Sequence, residues 1–362
     1  MKKARVFAFY LPQFHPIPEN DIWWGKGFTE WTNVGKAKKL FPGHYQPHIP
    51  ADLGYYDLRV SETREAQADM AQKYGIEGFI YWHYWFGNGK RLLERPFNEV
   101  LNSKKPDFPF ALAWANETWK GFAHGMKNRN TLIEQTYPGE KDYINHFYEV
   151  LPAFKDTRYI TVDGKPLFII YRPYELPNAS QFIKLWKKLA IENGLKGIYF
   201  IAQRGHIPYK EEKTDIQNLL SLGFDSVNYV RLSNYSTNKT YNRIRKIIKF
   251  IKLPIIHYYK NYIKHLTNEN DIQLEVIPTI IPNWDHTPRS GKEGHVLHNS
   301  TPEYFAQNVK ETLNNIIKKP IDKRIIFIKS WNEWAEGNYM EPDLKWGKKY
   351  LEALKNEIFN EE

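Results

Sequence analysis

A single (β/α)8 barrel of the TIM type is the fold this sequence predicts, an α/β architecture with long loops at the C-terminal face of its strands. Three observations predict it. Eight short runs rich in β-branched and aromatic residues recur along all 362 residues. Segments with helical spacing lie between them, and a parallel sheet needs such a crossover after each strand. No internal repeat or low-complexity linker divides the chain, and a barrel of about 250 residues accepts insertions up to this length. Residues 1–362 are therefore expected to form one domain.

The runs are Arg5–Tyr10, Ile76–Trp82, Pro109–Ala115, Pro166–Arg172, Gly197–Ala202, Phe224–Val230, Glu275–Ile281 and Arg324–Trp331. Most are almost continuously apolar, as strands covered on both faces are. Between the first two, Ala66, Met70 and Tyr74 repeat at a helical spacing before Gly75. Tyr143, Phe147 and Leu151 do the same after the third run, and Phe182, Leu185, Trp186 and Leu189 after the fourth. Thr301-Pro302-Glu303 is a helix start, with a side-chain acceptor at the N-cap and proline where no N–H is needed. Two connections are far longer than the usual 2–6 residues. One, at about 11–60, is dense in Trp, Tyr, Pro and His and reads as a wall or lid over the barrel mouth. The other, at about 232–269, is a basic insertion.

Composition narrows the function. With 51 Lys+Arg, 41 Asp+Glu, 42% apolar residues and no cysteine, the chain reads as globular, without a disulfide framework, thiolate zinc site or cysteine nucleophile. The apolar stretch Val6–Leu11 is too short for a signal peptide and no run approaches the ~20 residues of a membrane span, so a soluble cytoplasmic protein is expected. The formal charge of +10 is local: no acidic residue falls between Asp225 and Glu269, while Arg243-Ile-Arg-Lys-Ile-Ile-Lys-Phe-Ile-Lys252 interleaves basic and apolar residues. A solvated insertion is one reading. The sharper one is contact of residues 239–264 with an anionic membrane surface at the inner membrane, or with a lipid-linked saccharide. Nucleic acid is not the expected partner, because the aromatics cluster with acids and not with the basic run.

In a barrel enzyme the reacting groups follow the C-terminal strand ends. Those positions carry Gln13 and His15, then His83, Tyr84 and Trp85, then Asn116, Glu117 and Trp119, then Arg172 and Tyr174, and then Gln203 and Arg204. The seventh run is followed by Trp284, Asp285 and Arg289, and the eighth by Trp331-Asn-Glu-Trp-Ala-Glu-Gly337. Flat aromatic faces stack on sugar rings while amides, carboxylates and guanidiniums meet hydroxyls, so this mouth suits a carbohydrate. Cleaving a glycosidic bond needs a proton donor and a second carboxylate. Glu333 and Glu336 are the expected catalytic pair. Trp23, Trp24, Tyr81, His83, Trp114, Asn116, Glu117, Trp284, Asp285, Arg289, Trp331 and Asn332 are the expected substrate-binding residues. No Walker loop, Gly-x-Gly-x-x-Gly, His-Glu-x-x-His or Asp-x-Asp occurs, and Pro47 breaks the helical spacing of His44 and His48, so no cofactor or metal is expected. A catalytically silent carbohydrate-binding barrel is the alternative, as is a secreted-type endo-acting hydrolase.

These residues lie in stretches that resemble the WbsX-type glycosyltransferases, which carry a glycoside hydrolase family 99-like domain. The likeness runs through Ala8-Phe-Tyr-Leu-Pro-Gln-Phe-His15, Trp23–Val34, Gly43-His-Tyr-Gln-Pro-His48 and Leu53–Arg59. It continues in Tyr81–Phe86, Trp114-Ala-Asn-Glu117, Trp284–Arg289 and Trp331–Gly337. The resemblance implies a role in bacterial O-antigen or capsule assembly or processing. It also implies a retaining, metal-independent route like that of the family 99 endo-α-mannosidases. There one glutamate takes the proton of the sugar 2-hydroxyl to close a 1,2-anhydro sugar, and a second protonates the leaving oxygen. By the motif match, Glu333 would be that base and Glu336 the acid/base. After Glu117 the sequence departs from the family pattern, reading Thr118-Trp-Lys-Gly-Phe-Ala-His-Gly125.

Overall fold

The structure is a computed structural model that describes residues 2–121, 130–205, 207–232 and 253–359. Within them, eight parallel strands close into a barrel: β1 (Arg5–Tyr10), β2 (Gly78–Trp85), β3 (Phe110–Trp114), β4 (Lys165–Ile170), β5 (Tyr199–Arg204), β6 (Ser226–Tyr229), β7 (Val276–Ile280) and β8 (Ile325–Ile328). Each pairs with its neighbours in chain order. Closure comes from β1 lying against β8 in the register Arg5↔Ile325 to Ala8↔Ile328. Each strand overlaps one of the expected apolar runs, with ends shifted by a few residues, because buried parallel strands leave so little polar interruption.

Helices pack outside. α1 (Pro18–Trp24) and α2 (Glu30–Gly35) lie in the first long connection, followed by α3 (Ser61–Lys73), α4 (Arg95–Ser103), α5 (Glu140–Phe154), α6 (Ala179–Glu192) and α7 (Tyr209–Ser221). α8 (Pro302–Ile316) begins where expected, Thr301 accepting from the Tyr304 N–H, and α9 (Lys349–Ile358) closes the ring. Trp186 is fully buried where α5 and α6 meet β4, between Phe147, Phe168 and Phe182. The 11–60 connection is not structureless. Besides α1 and α2 it is tied down by Trp31, whose Nε1 donates to the Tyr56 carbonyl at 2.7 Å, and by Tyr56, whose hydroxyl donates to Glu341.

Most of the basic run falls at 233–252, outside the described residues. Its two flanks are firmly held. Arg231, 1% exposed, pairs with Glu212 (Nε to Oε1, 2.8 Å) and with Asp271 (Nη2 to Oδ1, 2.8 Å). Residues Ile255–Tyr258 lie parallel to His295–His298, and the buried Tyr259 and Tyr262 donate to the carbonyls of Ile281 and Leu232.

Between the barrel and α5, His83 and His146 meet nitrogen to nitrogen at 2.8 Å, and burial holds both rings neutral, far below the usual imidazole value of 6.5. In the unfolded chain both rings take a proton as pH falls through about 6.5, so acid stabilises the unfolded side. His257 and His286, lowered by burial to about 4 and about 3, act in the same direction, while Glu341, raised by burial to about 7, takes up a proton in the fold and opposes it together with the raised Glu117 and Glu333. The expected result is a melting temperature that falls between pH 6.5 and 5. The same fall read by calorimetry in a His83→Gln, His146→Gln double variant as in the wild type would show that the pair is not held neutral.

Candidate active site

Strand alternation decides what reaches the barrel mouth, since successive side chains point to opposite faces. On β2, Trp82 and Tyr84 face the axis while Tyr81, His83 and Trp85 face the helices. Trp82, Tyr84, Gln13, Glu117, Trp119, Tyr171, Arg289, Lys329, Glu333 and Glu336 line an open recess of about 520 Å³ at the C-terminal end of the barrel.

Glu333 and Glu336 meet there at one ammonium. Lys329 Nζ stands 2.9 Å from Glu333 Oε2 and 3.7 Å from Glu336 Oε2. The Trp82 indole N–H donates to the other oxygen of Glu333 at 2.7 Å. Arg289 donates to Glu336 through Nη1 and to Glu30 through Nε at 3.2 Å. Burial pushes the Glu333 carboxyl up; Lys329 opposes this only in part and direct contact with Glu336 adds to it. Burial also works against ionising Glu336, but Arg289 and Lys329 outweigh it and hold that carboxyl below its usual value. A greater proton affinity at Glu333 than at Glu336 is thus the order without substrate. It runs against the roles implied by the motif, in which Glu333 is the base. Across the recess Glu117 accepts from Arg172 Nη2 at 3.0 Å. Gln13 is buried at the rim, and its Nε2 has no hydrogen-bond partner among the described residues.

Several expected sugar-binding residues lie elsewhere, and the reason is parity or prior commitment. Tyr81 packs on Tyr10 and Phe97, Trp114 on His146 and Phe182, and Trp331 on Phe79, all in the core. His83 is in the core as well, against His146. Asn116 and Asn332 are buried and each bonds both the N–H and the C=O of one residue on the neighbouring chain segment. Asn116 does so with Arg172 (2.8 and 2.9 Å) and Asn332 with Leu11 (2.7 and 3.1 Å). They extend the ladder past the strand ends and are spent on it. Asp285 accepts from His44, Gln46 and Thr287, so its carboxylate is a brace. His48 bonds the Tyr339 hydroxyl, so both histidines of that motif are occupied in packing. Trp24 stacks on Phe28, and Trp23 stands 6.0 Å from Trp119, behind the recess wall. Of the expected set, Glu117, Arg289, Glu333 and Glu336 line the recess, and Trp284 stands beside it with its ring 5.8 Å from Lys329 Nζ.

Trp82, Tyr171 and Lys329 are not among the strand-end residues that the sequence singles out, while Gln13, Tyr84 and Trp119 are named there without a substrate-binding role. Trp82 and Lys329 sit inside apolar runs, and on β2 Trp82 alternates with the helix-facing Tyr81 and His83. Among the described residues no group of three or more His, Cys, Asp or Glu is arranged to hold a metal ion, and no helix is long and apolar enough to cross a membrane.

The loop carrying Glu336 is fixed by a close approach. The Asp285 N–H donates to the Glu336 carbonyl at 2.7 Å. Gly337 has φ +56°, and a Cβ there would lie 2.7 Å from the Asp285 nitrogen. Gly337→Ala is therefore expected to push Asp285 and Glu336 apart and cost activity about 10²-fold, the usual penalty of a 1 Å misplacement. Activity within twofold of wild type would show that the contact does not set the position of Glu336.

Comparison with known sequences gives a match to the family described as Glycosyltransferase WbsX over residues 6–354. The protein WxcX of Xanthomonas campestris pv. campestris strain B100 is 34% identical over 362 residues, covering 98% of this chain and 50% of WxcX. The chain thus spans about half the length of the curated relatives it matches. Among solved structures, a glycoside hydrolase-like protein is similar at TM-score 0.64 and 17% identity, covering 100% of this chain and 95% of the other. The GH99 endo-alpha-mannosidase from Bacteroides thetaiotaomicron is similar at TM-score 0.57 and 15% identity, covering 97% and 95%. At these identities the likeness is one of fold.

Proposed function

The chain belongs to the Glycosyltransferase WbsX family, and on that premise we propose that it is a carbohydrate-active enzyme. It acts at a glycosidic bond in the recess around Glu333 and Glu336, as one barrel domain, in assembly or processing of a bacterial surface polysaccharide. The observation that carries this is the meeting of two buried carboxyls at Lys329 in the mouth of the barrel. Such a pair, with environments that pull its members apart, is suited to acid–base work.

In this scheme the pair carries one proton, held first by Glu333, the carboxyl that burial pushes up. Substrate hydroxyls that displace Arg289 from Glu336 remove the charge holding it ionised, and the proton passes from Glu333 to Glu336. Glu333 then takes the proton of the sugar 2-hydroxyl, that oxygen closes on the anomeric carbon, and Glu336 protonates the departing oxygen. In the second half Glu336 takes a proton from the incoming acceptor, which opens the three-membered ring, and Glu333 returns its proton to the 2-oxygen. The acceptor is water in hydrolysis and a sugar hydroxyl in transfer. Gln13, with an unused amide N–H at the rim, is placed to hold a sugar hydroxyl. The basic residues of the 239–264 run favour a lipid-linked saccharide presented at the inner membrane.

The test is incubation with free and lipid-linked saccharides of a surface polysaccharide, read by mass spectrometry for the wild type, Glu333→Gln and Glu336→Gln. A new reducing end means hydrolysis and a lengthened acceptor means transfer. Identical products from all three proteins would remove the two glutamates from the chemistry. A vesicle flotation assay checks the membrane part: binding to anionic vesicles that falls with added salt is expected, and equal binding to neutral vesicles would refute it.

A further inference from the structure

Beside the carboxylate recess lies a second chamber that shares Tyr171 and Lys329 with it, with about 860 Å³ of open space at the ends of β5, β6 and β7. Its walls differ in kind from those of the recess. Trp284, Val230 and Leu232 give it apolar faces. Gln203, Arg204 and His286 at its base already have partners, while Glu293 stands exposed at its edge. Gln203 Nε2 donates to Asn228, and Arg204 pairs with Asp215 and lies over the Tyr174 ring. His286 bonds Ser290 through Nδ1, while burial and the nearby Arg289 hold the ring neutral, with its pKa lowered to about 3. A fully hydroxylated hexose placed there would turn hydroxyls against Val230 and Leu232 without partners, which costs affinity.

We propose that this chamber receives a 6-deoxyhexose unit, whose methyl group packs on Val230, Leu232 and the Trp284 face while its ring oxygens turn toward Lys329 and the carboxylate recess. This rests on the carbohydrate reading above and names the class of sugar held next to the bond acted on. The chamber and the recess share Tyr171 and Lys329 as lining, so a saccharide chain that passes these two side chains would occupy both. An apolar wall rejects an extra hydroxyl by up to about 10²-fold.

The test uses matched pairs differing at one carbon: D-galactose with D-fucose, D-mannose with D-rhamnose, and D-glucose with D-quinovose. Each is titrated by saturation-transfer NMR against Glu336→Gln, which binds without turnover, and against the same protein carrying Val230→Thr or Leu232→Asn. At least one deoxysugar is expected to bind about tenfold more tightly than its partner, with the preference falling to within twofold in a wall variant. Equal or weaker binding of all three deoxysugars overturns the proposal, as does absence of binding by any probe. So does a preference that survives both wall substitutions, because the methyl would then lie elsewhere. Turnover by the wild type is read separately, so loss of the sugar preference and loss of the catalytic assignment cannot be confused.

Discussion

Glu336→Gln is expected to lower turnover about 10³-fold while leaving saccharide affinity within a few-fold, the usual scale for removing a positioned proton donor. The amide keeps the size of the side chain and can still accept from Arg289, so the recess keeps its shape. What it loses is the proton for the departing oxygen. Glu333→Gln is expected to be as damaging by another route. It leaves Lys329 with no carboxylate at 2.9 Å and removes the base, and the Trp82 indole keeps only an amide oxygen to donate to. Because the two act as a unit, the double variant should be little worse than either single one. Measuring kcat and Kd separately decides the matter. A Glu336→Gln enzyme that keeps kcat within tenfold of the wild type would mean that the proton comes from another group, with Glu117 across the recess the next to change.

Arg231→Met should be the most destabilising single change in the barrel scaffold, by about 3–5 kcal/mol, because it strands two buried carboxylates. Arg231 reaches both Glu212 and Asp271, each 0% exposed, and holds the Leu266 carbonyl and the Asn268 side chain as well. For a chain of this size a loss of that order lowers the melting temperature by roughly 4–7 °C. The position matters to function because Leu232, the next residue, is a wall of the second chamber. Adding Glu212→Gln and Asp271→Asn to Arg231→Met should recover part of the loss, since amides are far cheaper to bury than charges. No recovery in that triple variant would show that lost packing, and not stranded charge, is the cause.

Much of the barrel is legible in the sequence because each strand is buried on both faces and reads as an apolar run, so the eight runs overlap the eight strands. The site is legible only where charge breaks that pattern. Glu333, Glu336, Glu117 and Arg289 stand out because acids and bases at strand ends are costly unless used or paired. Aromatic residues carry no such signal. A tryptophan is equally at home in the core or against a sugar, so Trp114 and Trp331 are indistinguishable by type from Trp82; strand parity sorts Trp114, but not Trp331, which shares the parity of Lys329 and Glu333 and still packs on Phe79. Asn116 and Asn332 are opaque for a different reason, since an amide that mimics the backbone and one that grips a hydroxyl are the same residue. Lys329 is hidden in the run Arg324–Trp331, where a single cation reads as a strand-edge residue until its two carboxylates are seen.

The seam of the barrel lies between β1 and β8, where Arg5 to Ala8 pair with Ile325 to Ile328. During synthesis the first strand emerges long before its second partner exists, and its hydrogen-bonding edge stays open until nearly the whole chain is made. An open, apolar edge of this kind is a template for mispairing with other nascent chains. Bringing residues so far apart in sequence together is also slow, since the loop must close before the contacts repay it. Both glutamates follow β8 directly, so Glu333 and Glu336 come to face Trp82 and Glu117 across the barrel mouth only once that seam is complete.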